Sequence, residues 1–353
     1  MRIAIITDTW QPNINGVVNS LLATRQCLQT AGHEVVLITP DGLSSFACPG
    51  FPDVPLAFSP YAHVAAQLEH AQPEAIHIAT EGPVGLAARR YCMTHRLQFT
   101  TAYHTRFPEY LWERSKIPSF LSYRWLRWFH APAKAVLVPT ERMRQQLASK
   151  GFQNLALWGR GVDTELFCPD EIGRSVCRKN DALFLYVGRV AQEKNLAAFL
   201  QLDLPGKKWV IGDGPQRAQL EQGFSEVRFL GAKKHTELPA YINCADVFVF
   251  PSKTDTFGLV MVEAMACGVP VAAFPVPGPL DVITPGVTGI MHNDLRLACL
   301  EAATLPRQAV RQQALHFSWQ RATDEFLQHT YPVRPISQSL PLTGLSASKA
   351  LLS

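Results

Sequence analysis

Two acidic residues, Asp255 and Glu263, lie between an apolar strand pattern at 247–250 and another at 271–274, with helical spacing from 258 to 266. A strand-loop-helix-strand unit of this kind presents free backbone N–H groups and the positive end of a helix dipole, which favour a phosphate. Carboxylates beside that anion can hydrogen-bond sugar hydroxyls, which assigns Asp255 to a hexose and Glu263 to a ribose. The alternative is that Asp255 caps the helix and Glu263 is a solvated helix residue.

Two other strand-to-helix loops carry groups that suit the same ligand. Gly16 follows the first strand pattern, and a glycine there allows close backbone approach to a phosphate or sugar. Arg189 and Lys194 follow a strand pattern at 183–187 and can neutralise a diphosphate, because a guanidinium binds two oxygens at once and an ammonium acts as a mobile point charge. The alternative is a solvated arginine and a lysine paired with Glu193.

Composition predicts an ordinary globular protein. The chain has 353 residues, of which 47% are hydrophobic and 18% are charged, and this length suggests two domains. Its apolar stretches are far shorter than the ~20 residues that a membrane span requires, and the first eight residues have the pattern of a buried strand, not of a signal peptide. The eight cysteines show no CxxC spacing, which predicts reduced thiols, a cytoplasmic protein and no structural zinc.

The net charge of +4 is unevenly placed. The stretch 114–150 has eight basic residues and one acidic residue, interleaved with aromatic side chains. This combination suits the headgroup region of an anionic membrane, and we expect the membrane or a lipid acceptor to contact Arg124, Trp125, Arg127 and Trp128. The alternative is an amphipathic helix whose aromatic residues face the core. No zinc-finger spacing or other nucleic-acid signature is found, so no nucleic-acid partner is expected.

Strand and helix patterns alternate along two successive halves of the chain, which predicts an α/β protein with two Rossmann-like, doubly wound domains facing a central cleft. The first domain is placed at 1–165 and the second at 166–318. A closing helix at 319–330 is expected to cross back to the first domain, and the Pro/Ser/Leu-rich tail at 331–353 is expected to be disordered.

Several short motifs follow one another in a specific order and spacing. They are Asp8-Thr-Trp-Gln-Pro-Asn-Ile-Asn-Gly16-Val, Gly32-His-Glu-Val, Tyr103-His104-Thr, Arg160-Gly-Val-Asp163, Tyr186-Val-Gly-Arg189 with Glu193-Lys194-Asn, Gly212-Asp-Gly-Pro, and Phe257-Gly-Leu with Glu263-Ala-Met. In these motifs the chain, over residues 1 to about 330, resembles glycosyltransferase family 4, the retaining nucleotide-sugar transferases with the two-domain GT-B fold.

The resemblance implies roles for individual residues. Gly16 would approach the donor diphosphate, His104 would contact the donor sugar near the reacting carbon, Arg189 and Lys194 would bind the diphosphate, and Glu263 would hold the ribose. The alternative for His104 is a hydrogen-bonded core histidine, although its position in a loop after a strand favours a functional role.

The first acid of the 251–270 segment departs from the family pattern. The family commonly has glutamate where this chain has Asp255, which is shorter by one methylene and reaches the same hydroxyls only if the backbone or the donor shifts. The backbone amides near Phe257 and Gly258 are still expected to bind the donor.

The residues and the resemblance together predict a hexosyltransferase that moves mannose, glucose or a related hexose from a UDP- or GDP-sugar to a membrane lipid or lipid-linked glycan. The resemblance implies that the enzyme retains the anomeric configuration. The catalytic set is His104, Asp255, Arg189 and Lys194. The chain has no Asp-x-Asp triplet, so transfer without a metal or cofactor is expected. The expected location is the inner face of the cell membrane. The alternatives are transfer to a soluble acceptor, a sugar-nucleotide epimerase, and a noncatalytic nucleotide-sugar-binding module.

Overall fold

The computed structural model describes residues 1–11, 15–48, 51–109, 118–177 and 181–333. Residues 110–117 of the basic and aromatic stretch lie outside the described residues, and so does the predicted tail from residue 334 onward.

The first half of the chain forms a six-stranded parallel sheet of order β2-β1-β5-β6-β7-β8, with an additional antiparallel hairpin, β3-β4. Its elements are β1 Arg2–Ile6, α1 Gly16–Thr30, β2 Glu34–Ile38, β3 Ser45–Cys48, β4 Phe51–Ala57, α2 Tyr61–Ala71, β5 Ala75–Ile78, α3 Pro83–Thr94, β6 Thr100–Ala102, α4 Ser119–His130, β7 Ala135–Val138, α5 Glu141–Ser149 and β8 Leu155–Leu157.

The second half forms another six-stranded parallel sheet, of order β11-β10-β9-β12-β13-β14. Its elements are α6 Glu171–Cys177, β9 Ala182–Val187, a 3₁₀ turn Gln192–Lys194, α7 Leu196–Leu200, β10 Gly206–Ile211, α8 Arg217–Gly223, β11 Arg228–Phe229, a 3₁₀ turn His235–Glu237, α9 Leu238–Cys244, β12 Val247–Phe250, α10 Leu259–Ala266, β13 Val271–Ala273, α11 Pro279–Val282, β14 Gly289–Met291, α12 Leu295–Ala302, α13 Arg307–Ala314 and α14 Trp319–Gln328.

The central strands of both sheets are buried on both faces. All four residues of β12 are buried, and in β1 the residues from Ile3 to Ile6 are fully buried. Continuous apolar runs are typical of parallel strands that have helices on both sides of the sheet. The predicted α/β architecture with two doubly wound halves is therefore confirmed.

The two sheets face each other through the loops at their carboxyl edges. Thr256 Oγ1 of the second half donates to the backbone oxygen of His104 in the first half at 2.8 Å. On the same side, a side-chain carbon placed on Gly16 would lie 3.9 Å from Leu259, so the N-termini of α1 and α10 abut. An ion pair between Arg142 and Asp281, with N···O 3.2 Å, also joins the halves.

Helix α14 crosses back to the first half. Ala322 and Phe326 pack among the first-half residues Leu21, Leu28 and Trp158. The chain then continues along the first sheet, where the backbone N–H of Val333 donates to Glu74. Residues 331–333 of the predicted tail are thus paired with the first half. The domain bounds proposed above stay a prediction.

The expectation of reduced thiols is wrong for one pair of cysteines. Cys177 at the end of α6 and Cys244 at the end of α9 form a disulfide, with their Cα atoms 5.5 Å apart. The two are 67 residues apart in sequence, so their proximity arises only from the packing of α6 on α9. The spacing of the cysteines along the chain did not indicate this disulfide.

Candidate active site between the two sheets

The residue that precedes helix α10, Gly258, has no room for a side chain. Gly258 has φ 85°, a conformation that side chains rarely adopt, and a side-chain carbon there would lie 2.8 Å from Met261 and 2.9 Å from Phe250. Phe257 is buried and packs edge-on against Phe317, with ring centroids 6.0 Å apart. The backbone at Phe257 and Gly258 is therefore fixed at the carboxyl edge of β12, where donor binding by its amides was predicted.

Asp255 and Lys194, to which the sequence assigned separate roles, are paired with each other. Lys194 Nζ lies 2.5 Å from Asp255 Oδ1, and the two side chains are 22% and 16% exposed. The second carboxylate oxygen, Asp255 Oδ2, is buried and has no hydrogen-bond partner. The pair leaves one buried acceptor atom that a ligand hydroxyl could satisfy.

Glu263 is buried, so the alternative of a solvated helix residue is wrong. It is 6% exposed, and its Oε1 accepts a hydrogen bond from His235 Nε2 at 3.0 Å. That hydrogen bond raises the pKa of His235 above its usual value, although partial burial opposes the shift. The other oxygen, Glu263 Oε2, is buried without a partner. His235 was not identified from the sequence, where it stands in a polar loop with no recognisable motif.

His104 lies directly beyond β6, where the first sheet faces the second. Its Nδ1 is 3.2 Å from Nη2 of Arg160, and its Nε2 is buried without a hydrogen-bond partner. Burial, followed by the positive charge of Arg160, holds the pKa of His104 well below its usual value. The imidazole is therefore neutral at physiological pH. Arg160 belongs to one of the motifs quoted above, but no role was predicted for it from the sequence.

Gly16 belongs to the first half of the chain and Arg189 to the second. Asn15 caps α1, since its side chain accepts hydrogen bonds from Val17 and Val18 at 3.0 Å each, and the cap places Gly16 beside Leu259. Arg189 is half-buried two residues after β9, the strand next to β12, so it lies at the same sheet edge as Asp255. The proposed contacts of both residues with a diphosphate stay predictions.

The basic and aromatic helix α4 has one side turned to solvent. Phe120 and Trp128 are 66% and 52% exposed, and Arg124 and Arg127 are exposed as well. Trp125 behaves differently: it is half-buried, packs against a cluster of the first half and lies 5.9 Å from the ring of Phe129. The expectation of a solvent-facing anchor thus holds for the position of Trp128, whereas Trp125 fits the alternative of core packing.

None of the helices in the described part of the chain is long and apolar enough to cross a membrane.

Comparisons with known proteins cover most of the chain. The family model for Glycosyltransferase Family 4 matches residues 14–166, and that for Glycosyl transferases group 1 matches residues 181–304. A GDP-mannose-dependent alpha-mannosyltransferase of Mycobacterium tuberculosis is 28% identical, over 95% of this chain and 97% of its own length. A sulfoquinovosyl transferase of Arabidopsis thaliana is 28% identical, over 90% of this chain and 71% of its own length. An alpha-monoglucosyldiacylglycerol synthase of Streptococcus pneumoniae is 26% identical, over 86% and 78%.

Solved structures show the same architecture. Sucrose-phosphate synthase of Thermosynechococcus elongatus superimposes with a TM-score of 0.74 at 21% identity, covering 93% of this chain and 97% of its own. The fold of both halves, the order of the motifs and the two family matches all indicate the same family. The chain belongs to glycosyltransferase family 4 and has the GT-B fold.

Proposed function

We propose that this glycosyltransferase moves a hexose from a UDP- or GDP-sugar to a membrane lipid or a lipid-linked glycan. One observation carries the proposal. Asp255, Glu263 and His104 each keep one polar atom buried and without a partner, while a neighbour holds the other polar atom. An unsatisfied buried polar atom costs about 1–3 kcal/mol, so these three atoms, at or near the facing carboxyl edges of the two sheets, favour a hydroxyl-rich ligand that supplies the missing hydrogen bonds.

The two ends of the donor would be held by different groups. Glu263 Oε2 suits a ribose hydroxyl, because it accepts hydrogen bonds and lies inside α10 beside His235. Asp255 Oδ2 and His104 Nε2 suit the hexose, the first as an acceptor and the second as a donor. Arg189, Lys194 and the N-terminal amides of α10 would stabilise the diphosphate between them.

Transfer then proceeds through an oxocarbenium-like transition state. The bond from the anomeric carbon to the diphosphate oxygen breaks as the acceptor hydroxyl attacks, and the developing negative charge is stabilised by preorganised positive groups. We infer retention of configuration by attack on the same face, with the departing phosphate oxygen taking the acceptor proton. This scheme requires no base from the protein and no metal ion.

Two observations support a lipid acceptor. The relatives named above include a monoglucosyldiacylglycerol synthase and a sulfoquinovosyl transferase. In addition, α4 presents Phe120, Trp128 and Arg124 to solvent, and exposed aromatic side chains beside cations suit the interface of an anionic membrane. We therefore propose that the enzyme binds the cytoplasmic face of a membrane.

A transfer assay tests the proposal. Purified protein is incubated in EDTA with labelled UDP-glucose, UDP-galactose, UDP-glucuronate or GDP-mannose, each with mixed membrane lipids. A labelled product that extracts into organic solvent supports transfer, a lipid acceptor and metal independence together. Transfer only to water-soluble glycans would replace the lipid acceptor by a soluble one, and nucleotide binding without any product would favour a noncatalytic module. Activity that appears only when Mg²⁺ or Mn²⁺ is restored would reject metal independence.

A further inference from the structure

Arg160 is a buried cation that contacts His104 and the backbone of the two residues that precede it. It is 6% exposed, and its Nη1 donates to the backbone oxygens of Trp158 and Gly159, each at 2.8 Å. Its guanidinium also lies over the ring of Trp158, 4.3 Å from the centroid. Nη2 points to Nδ1 of His104 at 3.2 Å. These contacts fix the guanidinium in one orientation.

The direction of the hydrogen bond between the two side chains follows from their chemistry. A guanidinium has only N–H donors, so Nδ1 of His104 must be the acceptor. A neutral imidazole carries one proton, which then resides on Nε2. Nε2 is the atom that lies buried without a partner. His104 therefore presents an N–H donor, and not a lone pair, to whatever binds next to it.

We propose that Arg160 is a positioning residue that fixes His104 in the Nε2–H tautomer, so that His104 donates a hydrogen bond to the donor sugar and does not serve as a base. The identity of the sugar ligand rests on the proposed function. The tautomer itself does not, because it follows from Arg160 alone.

The charged and titratable groups around His104 act in the same direction. Arg160 and the buried His77 both lower its pKa, after burial itself, and the edge of Trp158 covers the ring at 5.5 Å between centroids. Burial lowers the pKa of Arg160 to about 9, so the guanidinium remains charged near pH 7, and Glu325 favours that charge. His104 should thus stay neutral throughout the range in which an ordinary histidine titrates.

Arg160 also lies where the two halves of the chain are joined. Gly159 N donates to Glu325 of α14 at 2.8 Å, and Val162 N donates to Phe317 O at 3.1 Å. The backbone oxygen of His104 accepts from Thr256 of the second half. His104 is therefore held by Arg160, in the segment that connects the two halves, and by Thr256, in the loop between β12 and α10.

Nitrogen-15 NMR of the histidine side chains in the full chain tests the tautomer without any substrate. The His104 signal is assigned by its loss in His104→Gln. We expect a neutral Nε2–H pattern that does not change between pH 5.5 and 8. An Nδ1–H pattern, or a signal that titrates in this range, would overturn the inference. Since no turnover is measured, this result is independent of whether transfer occurs.

Kinetics of two variants provide the second test. Arg160→Met removes the donor and the charge, and we expect the single Nε2–H pattern of His104 to give way to a mixture of the two neutral tautomers, with kcat about 10-fold lower or more and donor KM little changed. Arg160→Lys keeps a charged donor and should restore the Nε2–H pattern and most of kcat. In a His104→Gln background the Arg160→Met change should have little further effect on kcat. Fully additive losses, or a folded Arg160→Met protein in which His104 keeps an unchanged Nε2–H pattern, would assign Arg160 a structural role only.

Discussion

Lys194 Nζ lies 2.5 Å from Asp255 Oδ1, which joins a cation expected at the diphosphate to an acid expected at the hexose. Neither residue is fully exposed, so each reduces the cost of burying the other's charge. The ion pair holds the carboxylate with Oδ2 available to a ligand and holds the ammonium near the sheet edge. If Asp255 binds the hexose and Lys194 the diphosphate, as proposed, recognition of the sugar and of the diphosphate is coupled through this pair of side chains.

This coupling predicts that activity depends more on the negative charge at position 255 than on the length of the side chain there. Asp255→Asn removes the negative partner of Lys194, and we expect kcat/KM to fall about 10- to 100-fold, which corresponds to the ~1.5–3 kcal/mol of a hydrogen bond to a charged group. Asp255→Glu keeps the charge and matches the residue common in the family, so it should retain most activity. Steady-state transfer assays measure both. A glutamate variant as impaired as the asparagine variant would contradict the coupling.

Glu263 is predicted to act on donor binding. In Glu263→Gln, one of the two carboxylate acceptors becomes an amide donor, so the ribose or His235 loses a partner. We expect donor KM to rise about 10-fold with kcat within about 2-fold, since the ribose is remote from the reacting carbon and its contact is equal in ground and transition states. The exposed Glu301, changed to Gln, serves as a control with unchanged KM. A loss confined to kcat would place Glu263 at the reacting sugar instead.

His104 is predicted to act on turnover. His104→Ala removes the Nε2–H donor, and we expect kcat to fall about 10- to 100-fold, while nucleotide affinity measured by calorimetry changes less than about 2-fold. The reason is that the hydrogen bond orients the reacting sugar for transfer and is not required by the nucleotide. Unchanged turnover in a folded variant would reject a role in the reaction.

Much of the fold could be predicted from the sequence because several of the central parallel strands are continuous apolar runs. Runs such as 3–6 and 247–250 are buried on both faces, so they stand out without any alternation. Helix starts were also accessible, since Asn15 and Gly258 are residue types that caps prefer. Periodicity alone did not separate Trp125 from Trp128, which are three residues apart on α4 but differ in burial.

The pairings within the site could not be predicted, because they join residues that are distant along the chain. Lys194 and Asp255 are 61 positions apart, and Arg160 and His104 are 56 apart. Residue types indicated which groups could bind a sugar nucleotide, but not which of them would first bind each other. That information lies in the approach of β9 to β12 and of the connecting segment to β6.

The exposed side of α4 is predicted to bind anionic membranes. Phe120→Ser, Arg124→Gln and Trp128→Ser together should lower binding to vesicles of phosphatidylglycerol and phosphatidylcholine by about 10-fold or more at low salt, because each contact contributes on the order of 1 kcal/mol. Trp125 is left unchanged, since its half-buried ring supports the fold.

A control for this experiment replaces exposed residues of similar character elsewhere. Phe58 and Ile172 are 70% and 81% exposed, and Lys207 is exposed at the start of β10. Phe58→Ser, Ile172→Ser and Lys207→Gln should leave sedimentation with vesicles unchanged. Equal loss in both triple variants, or retained binding in the α4 variant, would show that α4 is not the contact surface.

Acid stability is predicted to depend on His77. This side chain is 1% exposed, its Nδ1 lies 2.8 Å from Thr100 Oγ1, and burial lowers its pKa to about 3. The unfolded chain binds a proton at this residue below about pH 6.5 and the folded chain does not until about pH 3, so folding stability falls as pH decreases through this window. The expected slope from this one group is about 1.4 kcal/mol per pH unit.

Replacing His77 by asparagine removes the titration and keeps an amide where Nδ1 contacts Thr100. We expect the variant to be less stable at pH 7, because the smaller side chain leaves space beside Trp158 and Phe326. Its unfolding free energy, measured by urea titration at half-unit steps from pH 7 to 4.5, should nevertheless decline less steeply than that of the wild type. The exposed His316 changed to Asn should leave the wild-type slope intact. Parallel curves for wild type and His77→Asn would mean that the folded protein accepts a proton at His77, and the buried neutral imidazole would have to be abandoned.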